Sequence, residues 1–399
     1  MPLPRFIQIH TLHAYPAALL NRDDAGLAKR LPLGNAVRTR ISSQCLKRHW
    51  RMTDDQFGLA RLNVPMAVRS RVTLELISKR IQENGIPAAL AQAAAEALRE
   101  AGLLDKGGKD KKGEDALKTG QAVLMGKPEI DYLVARCTEF ARSNSDEKSI
   151  KSAIGKVLKS EQKNIEALKH GSGLESALFG RMVTSDILAS REASIYVSHA
   201  FTVHQAQVEN DYFTVVDDLS RKAGELGSAG IFDTELASGL YYGYVVVDVP
   251  QLIENLEGIR AQDCFADITQ QERRELAGRV VQHLLHLIAT VSPGAKRGST
   301  APFDWAKFVL VEAGDWQPRS LAGAFHDALP LEDKTGTDSI RQRAVARMTA
   351  EIQAMDEAYG APLSRRYLAL DPVSVPSGTR HNLAQLAEWA NSIVRQGAC

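Results

Sequence analysis

The sequence is poor in cysteine, in net charge and in long apolar runs. Its 399 residues include four widely spaced cysteines, which are Cys45, Cys137, Cys264 and Cys399. This spacing fits neither a zinc site nor a disulfide framework, so we expect four ordinary reduced thiols. No apolar run reaches the ~18 residues of a membrane-spanning helix. The N-terminal stretch MPLPRFIQIH has no apolar signal core, so we expect a cytoplasmic protein with no membrane partner.

The small net charge hides an uneven distribution. The formal charge is +1, yet residues 1–52 hold nine Lys and Arg against two acids, which leaves −6 for residues 53–399. Composition therefore predicts no globally basic protein, but it allows a local basic surface that faces a polyanion. The length, with 44% hydrophobic residues, predicts a globular chain of two or three structural units.

Periodicity predicts strands towards both ends of the chain and helices between them. RFIQIHTLHAY reads as a strand that ends before Pro16, and LYYGYVVVDV and WAKFVLVEA read as two more. Residues 16–40 read as a long irregular connection. Residues 66–175 carry apolar residues at helical spacing and form a helical insertion, and residues 271–291 form a long amphipathic helix. This order predicts an α+β fold, compatible with a split βαβ, ferredoxin-like core.

The stretch RTRISSQCLKRHW, residues 38–50, predicts an amphipathic helix that starts near Ser42 or Ser43. Its polar face carries a cationic stripe, made of Gln44, Lys47, Arg48 and Arg51. The opposite side presents Leu46 and Trp50 for burial. The serines lie where free backbone amides favour an anion, and Arg38 and Arg40 precede them at strand spacing. Two interpretations of this stretch remain open. It is either a helix that binds a row of phosphates or a plain surface helix with a serine cap.

Two further segments are candidates for nucleic-acid contacts. A long excursion between two strands carries Tyr212 and Phe213 beside Thr214, which could stack on nucleotides or return to the core. The loop SPGAKRGSTAPF places Lys296 and Arg297 among glycines, but it lacks the spacing of a P-loop. The Lys-rich segment 105–120 reads as a solvated loop.

No catalytic or metal-binding motif can be read from the sequence. His10 and His13 face opposite sides of a strand, and no Ser-His-Asp order or paired catalytic carboxylate appears. The acidic pairs 23–24 and 217–218 fit caps and turns better than magnesium. We therefore expect no catalytic residue, metal or cofactor.

Five motifs together resemble one known family. They are LNRDD (20–24), RISSQCLKR (40–48), GRMVTSD (180–186), DYFTVVDDL (211–219) and PGAKR (293–297). Their order and spacing are similar to those of the CasC family, the backbone subunit of the type I-E CRISPR surveillance complex Cascade. The resemblance spans nearly the whole chain, and RISSQ-x-LKR with LNRDD upstream is its most specific part.

The resemblance implies a fold shaped like a right hand. An RRM-like (ferredoxin-like) palm would comprise residues 1–60 and 179–399. Helical fingers would be an insertion at residues 61–178, and a protruding thumb hairpin would span about residues 203–240. Several copies would stack head to tail along one CRISPR RNA as a helical filament, and each thumb would kink one nucleotide out of the neighbouring copy's RNA.

The resemblance also implies which residues bind RNA. The LNRDD loop and the SSQ-x-LKR helix would grip the guide's backbone, with Asn21, Arg22, Arg40, Ser42, Ser43, Gln44, Lys47, Arg48 and Arg51. The PGAKR loop would add Lys296 and Arg297. The thumb would contribute Tyr212, Phe213 and Thr214, with Met182 against the kink. The family can place a tryptophan where this chain has Tyr212, and it often has extra basic residues where this chain has GNAV (34–37).

The function implied is a non-catalytic, RNA-binding subunit of a ribonucleoprotein complex for antiviral defence. Its expected partners are the guide RNA, target DNA paired with the guide, further copies of itself and other Cascade subunits. One alternative is a ferredoxin-like CRISPR RNA-processing endonuclease that uses His10 or His13 as a general acid or base. Another is a helical scaffold without nucleic acid.

Overall fold

The chain forms two compact units. The first comprises Met1–Leu59, Tyr196–Val249 and Asp267–Cys399, and the second comprises Ala60–Ile195 and Pro250–Ala266. The computed structural model describes residues 3–100, 117–119, 122–144, 146–160, 173–181, 191–216, 228–332, 336–360 and 363–399. Most of the Lys-rich segment 105–120 and the acidic pair 217–218 lie outside the described residues.

Most of the strands belong to one large sheet. The strands are β1 (Phe6–Ala18), β2 (Arg30–Leu33), β3 (Ala36–Ile41), β4 (Ala67–Ser70), β5 (Val123–Gly126), β6 (Ile195–Val197), β7 (Ala200–Thr202), β8 (Gln207–Val216), β9 (Ser228–Asp248), β10 (Phe308–Gly314), β11 (Ser364–Ala369) and β12 (Gly378–Arg380). The sheet order is β12-β11-β10-β1-β9-β7-β3-β2, and β6 and β8 also pair with β9. Its neighbours from β11 to β2 are antiparallel, whereas β12 is parallel to β11.

The helices flank this sheet or build the second unit. They are α1 (Ser43–Met52), α2 (Thr73–Glu83), α3 (Ala88–Glu100), α4 (Lys127–Ser143), α5 (Glu147–Ser160), α6 (Leu174–Phe179), α7 (Val249–Glu257), α8 (Glu275–Thr290), α9 (Arg297–Thr300), α10 (Ile340–Tyr359) and α11 (Leu383–Gln396). The α+β class predicted from the sequence is confirmed. Among the described helices, none is long and apolar enough to cross a membrane.

The central strand β1 is buried on both of its faces, because successive side chains of a strand point in opposite directions. One face packs Leu12 with Tyr242 and with Met348 of α10. The other face carries Tyr15 and Tyr241, which pack with residues of β3 and α1. Helices therefore cover both faces of the sheet around β1.

The segment after β1 is more regular than the sequence predicts. β1 runs past Pro16, and its register with β9 shifts between Tyr15 and Ala18. The irregularity accommodates Pro16, which has no N–H to donate to a ladder. Residues 16–40, expected to be an irregular connection, include the hairpin of β2 and β3. Its turn uses Gly34 at a φ of 58°, a conformation that favours glycine.

The second unit is mainly helical. Its core lies between α2, α3, α4 and α5. The face of α3 that enters this core carries Ala91, Ala94 and Ala95, and such small side chains allow neighbouring helices to approach closely. Strands β4 and β5 form a separate two-stranded sheet in this unit. The helical region predicted between the terminal strands is thus present.

Candidate nucleic-acid interface

Helix α1 begins where the sequence predicts, with Ser42 as its N-cap. The Ser42 hydroxyl accepts a hydrogen bond from the Cys45 amide at 3.2 Å. The Ser42 amide donates to Asn21 Oδ1 at 2.8 Å, so the LNRDD loop is tied to the start of the helix. Ser42 is buried. Asn21 and Ser42 therefore hold the LNRDD loop against the start of the helix.

The backbone amides at the start of α1 are less open to an anion than the sequence suggests. Ser43 donates its amide to His199 Nδ1 at 3.0 Å. Partial burial, together with Arg40 and Lys29, lowers the pKa of His199, which keeps the ring neutral and its Nδ1 able to accept. Two of the helix's first amides thus have partners within the chain, His199 and Ser42.

The two sides of α1 divide as the helical wheel predicts. Gln44 and Arg48 are exposed, Lys47 and Arg51 are half-buried, and Trp50 is buried. Leu46, predicted to be buried, is half-buried and packs against the cluster around Tyr241. The apolar side of the helix therefore holds it to the sheet while the polar side faces outwards.

Arg38 and Arg40 differ sharply in environment. Arg38 is fully buried and donates to the carbonyl oxygens of Thr202 and Phe325, each at 3.0 Å. Burial also lowers the pKa of Arg38. Arg40 is half-buried, and its Nε donates to the Arg30 carbonyl at 3.2 Å. Although the two arginines have strand spacing, Arg38 is buried and anchors β3, whereas Arg40 stays partly exposed.

A cleft of about 490 Å³ joins the second half of α1 to the PGAKR loop. Arg48 and Arg297 line it, and so do His49, Met52 and Phe303. Both arginines are exposed, and Phe303 is 68% exposed. Burial and the nearby Arg297 and Arg48 lower the pKa of His49, so the cleft's positive charge comes from the arginines. Cations beside an exposed aromatic ring suit a nucleotide.

Cations also surround Cys45, next to this cleft. Burial raises the pKa of its thiol to about 11, while Arg48, Lys29 and Arg297 act in the opposite direction. The described part of the chain therefore brings cations from three separate segments around one side of α1. Lys29 was counted in the basic N-terminal region but was not expected at the site.

The aromatic pair lies on the exposed hairpin of β8 and β9. The ladder runs from Gln207 opposite Ser238 to Val216 opposite Ser228. Tyr212 is 65% exposed and Phe213 is 38% exposed, and as neighbours in a strand they point to opposite faces. Lys296 Nζ lies 5.2 Å from the centre of the Phe213 ring. Thr214 continues the ladder opposite Ile231.

Four of the five motifs meet in the first unit. The Ala295 amide of the PGAKR loop donates to the Leu19 carbonyl, beside LNRDD, at 2.8 Å. Leu19, Ala28 and Ala237 share a small apolar cluster that Ala295 joins. Arg22 is exposed and forms a β-bridge with Ala28. The fifth motif belongs to the second unit, and its Met182 lies outside the described residues.

The histidines considered for catalysis are buried. His10 is fully buried, with Nδ1 2.9 Å from the Tyr242 hydroxyl and Nε2 3.2 Å from a Glu312 oxygen. His13 is also buried, and desolvation lowers its pKa to about 4. Neither ring is positioned to reach an RNA ribose. Among the described residues, no group of three or more His, Cys, Asp or Glu could hold a metal ion.

Several residues at this surface were not expected from the sequence. His199 and Glu235 lie in none of the five motifs, and long-range contacts bring them to the site. Phe303 ends the loop SPGAKRGSTAPF, in which only the lysine and the arginine were expected to matter.

Comparison with solved structures shows the same fold in CRISPR complexes. A chain described as "CRISPR RNA-guided surveillance complex, pre-nicking" is 27% identical, with a TM-score of 0.77 over 98% of this chain and 100% of that chain. A chain described as "CRISPR RNA-guided surveillance complex" is 24% identical, with a TM-score of 0.67 over 97% of this chain and 99% of that one. No curated protein matches.

By its fold, the chain is therefore of the same class as the subunits of CRISPR RNA-guided surveillance complexes. Residues 7–392 match the family model described as CT1975-like protein, and the chain belongs to that family. The resemblance to CasC-type backbone subunits predicted from the sequence is confirmed.

Proposed function

We propose that this chain is a non-catalytic subunit that binds the guide RNA and oligomerises along it to form the backbone of Cascade. The observation that carries the proposal is the meeting of LNRDD, RISSQCLKR, the β8–β9 hairpin and PGAKR in one unit. Segments this far apart in sequence have little reason to share one cationic surface unless they share a ligand.

The ligand we propose is the phosphate backbone of RNA. Arg22, Arg48 and Arg297 are exposed, and Arg40 and Lys47 are half-buried. Long cationic side chains without a rigid array of base-reading groups favour contacts that do not depend on sequence. A guide whose sequence varies requires such contacts, because its bases must stay available for pairing with target DNA.

We further propose that the first unit contains an RRM-like palm. The order β10-β1-β9-β7 matches the strand order 4-1-3-2 of a ferredoxin-like sheet, if β1, β7, β9 and β10 are taken in chain order. Helices α1 and α8 contact each other, as the two helices of such a core would. On this view the second unit supplies the fingers and the β8–β9 hairpin is the thumb.

The same proposal covers the partners. Copies of the chain would stack head to tail on one guide, other Cascade subunits would cap the filament, and paired target DNA would lie along it. The net charge of only +1 supports this arrangement, because strongly basic subunits would repel each other.

Expression of the whole complex with a CRISPR array tests the proposal. We expect this chain to copurify with RNA of uniform length, seen as excess absorbance at 260 nm in the sizing peak. Replacement of Lys47 and Arg51 by Glu should reduce assembly for every guide sequence alike. A complex that forms normally but absorbs as pure protein would refute RNA binding. It would favour the alternative function, a helical scaffold without nucleic acid.

The endonuclease alternative is less well supported, because His10 and His13 are buried. Incubation of the purified chain with repeat RNA separates the two functions. We expect intact RNA from both the wild type and His10→Ala. Cleavage that disappears in His10→Ala would instead favour the nuclease.

A further inference from the structure

The hairpin of β8 and β9 is held near its base from both faces. Directly paired residues of an antiparallel ladder share a face, and faces alternate along each strand. Asn210 pairs with Glu235 and Tyr212 pairs with Asp233, so these four residues share one face. Thr234 and Phe213 lie on the other.

On the first face, Glu235 connects the hairpin to the loop that contains LNRDD. Its carboxylate is 7% exposed, and one oxygen accepts a hydrogen bond from the Ala28 amide at 2.9 Å. The other oxygen forms an ion pair with Arg30, the first residue of β2. Because Ala28 bridges to Arg22, the carboxylate lies one step from a proposed RNA contact.

On the second face, Lys296 of the PGAKR loop holds the hairpin. Its ammonium group donates to Thr234 Oγ1 and lies over the Phe213 ring. A cation over an aromatic face adds to the attraction of a hydrogen bond at the same group. Lys296 thus contacts the hairpin directly, whereas its neighbour Arg297 lines the cleft.

We propose that Glu235 and Arg30 are positioning residues that set the distance between the RNA phosphates and the nucleotide that Tyr212 displaces. The inference rests on the proposed function. Glu235 does not touch RNA in this scheme, and it acts through Arg30 and Ala28. Loss of its charge would leave the phosphate contacts in place but let the exposed face with Tyr212 vary in orientation.

A base-displacement assay on the assembled complex tests this role. Guide RNAs carry 2-aminopurine at successive positions, because its fluorescence rises when the base leaves its stack. Glu235→Gln keeps an acceptor for the Ala28 amide and removes the ion pair. We expect the periodic fluorescence contrast to fall about fivefold, the effect of roughly 1 kcal/mol. The Kd for RNA should change less than about twofold, since no phosphate contact is removed.

Glu209→Gln is the matched control, because it makes the same chemical change on the opposite face of the same ladder. It should keep the wild-type pattern. Arg30→Met should reproduce the loss of contrast, and the double variant should lose no more than either single one.

An unchanged pattern in both Glu235→Gln and Arg30→Met would overturn the inference. So would a large rise in Kd with the pattern intact, which would make Glu235 a contributor to affinity. A wild-type complex without RNA would instead refute the proposed function, so the two failures can be told apart.

Discussion

At the residue scale, the arginines near the candidate interface fall into two kinds. Arg38 is fully buried, and its guanidinium donates hydrogen bonds to backbone carbonyls. Arg48 and Arg297 are exposed on the walls of one cleft. A buried guanidinium with its hydrogen bonds satisfied holds strands in place, whereas an exposed one can neutralise a phosphate.

This division predicts the effect of removing single charges. Arg48→Gln and Arg297→Gln should each weaken RNA binding about fivefold, the equivalent of roughly 1 kcal/mol. Each should also reduce the slope of log Kd against log salt concentration by about 0.7, the value for one phosphate of a single strand. Filter binding or anisotropy at several salt concentrations measures both quantities.

The control for that experiment is Arg273→Gln. Arg273 is exposed and donates to Gln270 at 2.8 Å, outside the cleft. It should change neither affinity nor slope. Equal effects at all three positions would show that binding follows net charge and not the cleft.

Some of these residue roles could be predicted and others could not. A serine before an amphipathic stretch is a local signal, and Ser42 is indeed the cap of α1. The partner of the Ser43 amide, His199, lies 156 residues away in sequence. Strand spacing alone also puts Arg38 and Arg40 on one face, and only the packing of Thr202 and Phe325 around Arg38 shows that it is buried.

At the element scale, long periodic segments were predictable and short ones were not. The apolar runs of β9 and β10 and the helices α2 to α4 follow directly from side-chain spacing. The hairpin of β2 and β3 was missed because its strands are short and contain a proline and several cations. Tertiary pairing with β7 stabilises β3, and no local pattern encodes that neighbour.

The β8–β9 hairpin leads to a prediction for Tyr212. Tyr212→Ala should abolish base displacement and cost about 1–3 kcal/mol of binding, the usual contribution of stacking on an aromatic ring. Tyr212→Phe should keep both, because the ring face survives. The 2-aminopurine assay on the assembled complex measures the outcome. If Tyr212→Ala behaved as wild type, the thumb would not act through this ring.

The strands around β1 enclose a buried charge network centred on Glu312. Its carboxylate accepts from Arg365 Nε at 2.7 Å and from Arg319 at 2.7 and 2.8 Å. Glu312 can only accept, so His10 carries its proton on Nε2. Burial acts to raise the pKa of Glu312, but hydrogen bonds from His10 and Arg319 prevail and hold it well below its usual 4.5.

We predict that Glu312→Gln lowers the free energy of unfolding of the first unit by about 3–5 kcal/mol, because it removes the buried carboxylate that pairs with Arg365 and Arg319. A depressed carboxyl pKa stabilises the fold above the unfolded-state pKa, and this contribution is lost as pH falls. The difference in free energy of unfolding between wild type and Glu312→Gln should therefore be constant from pH 7 to 5.5 and shrink below about pH 4.5.

Urea unfolding followed by tryptophan fluorescence suits this measurement, because all four tryptophans of the chain, at positions 50, 305, 316 and 389, lie in the first unit. Glu388→Gln, at an exposed carboxylate that accepts from Gln282, should leave stability nearly unchanged. A difference that grew towards low pH would contradict the assigned role of Glu312.

At the scale of the whole molecule, a net charge of +1 means that the proposed RNA binding would depend on a local surface. We predict that guides of scrambled sequence bind with the same Kd within about threefold, since the proposed contacts are to phosphates. Competition between labelled and scrambled RNA during assembly tests this. A tenfold preference for one sequence would show that the chain reads base edges.

The central position of β1 also has a consequence for synthesis on the ribosome. His10 on β1 and Glu312 on β10 are hydrogen-bonded partners 302 residues apart. One edge of β1 therefore stays unpaired until β10, near the end of the chain, has been translated. The segment Ala60–Ile195 is complete much earlier. A nascent chain cannot assemble the cleft, so we expect RNA capture only after β10 has emerged.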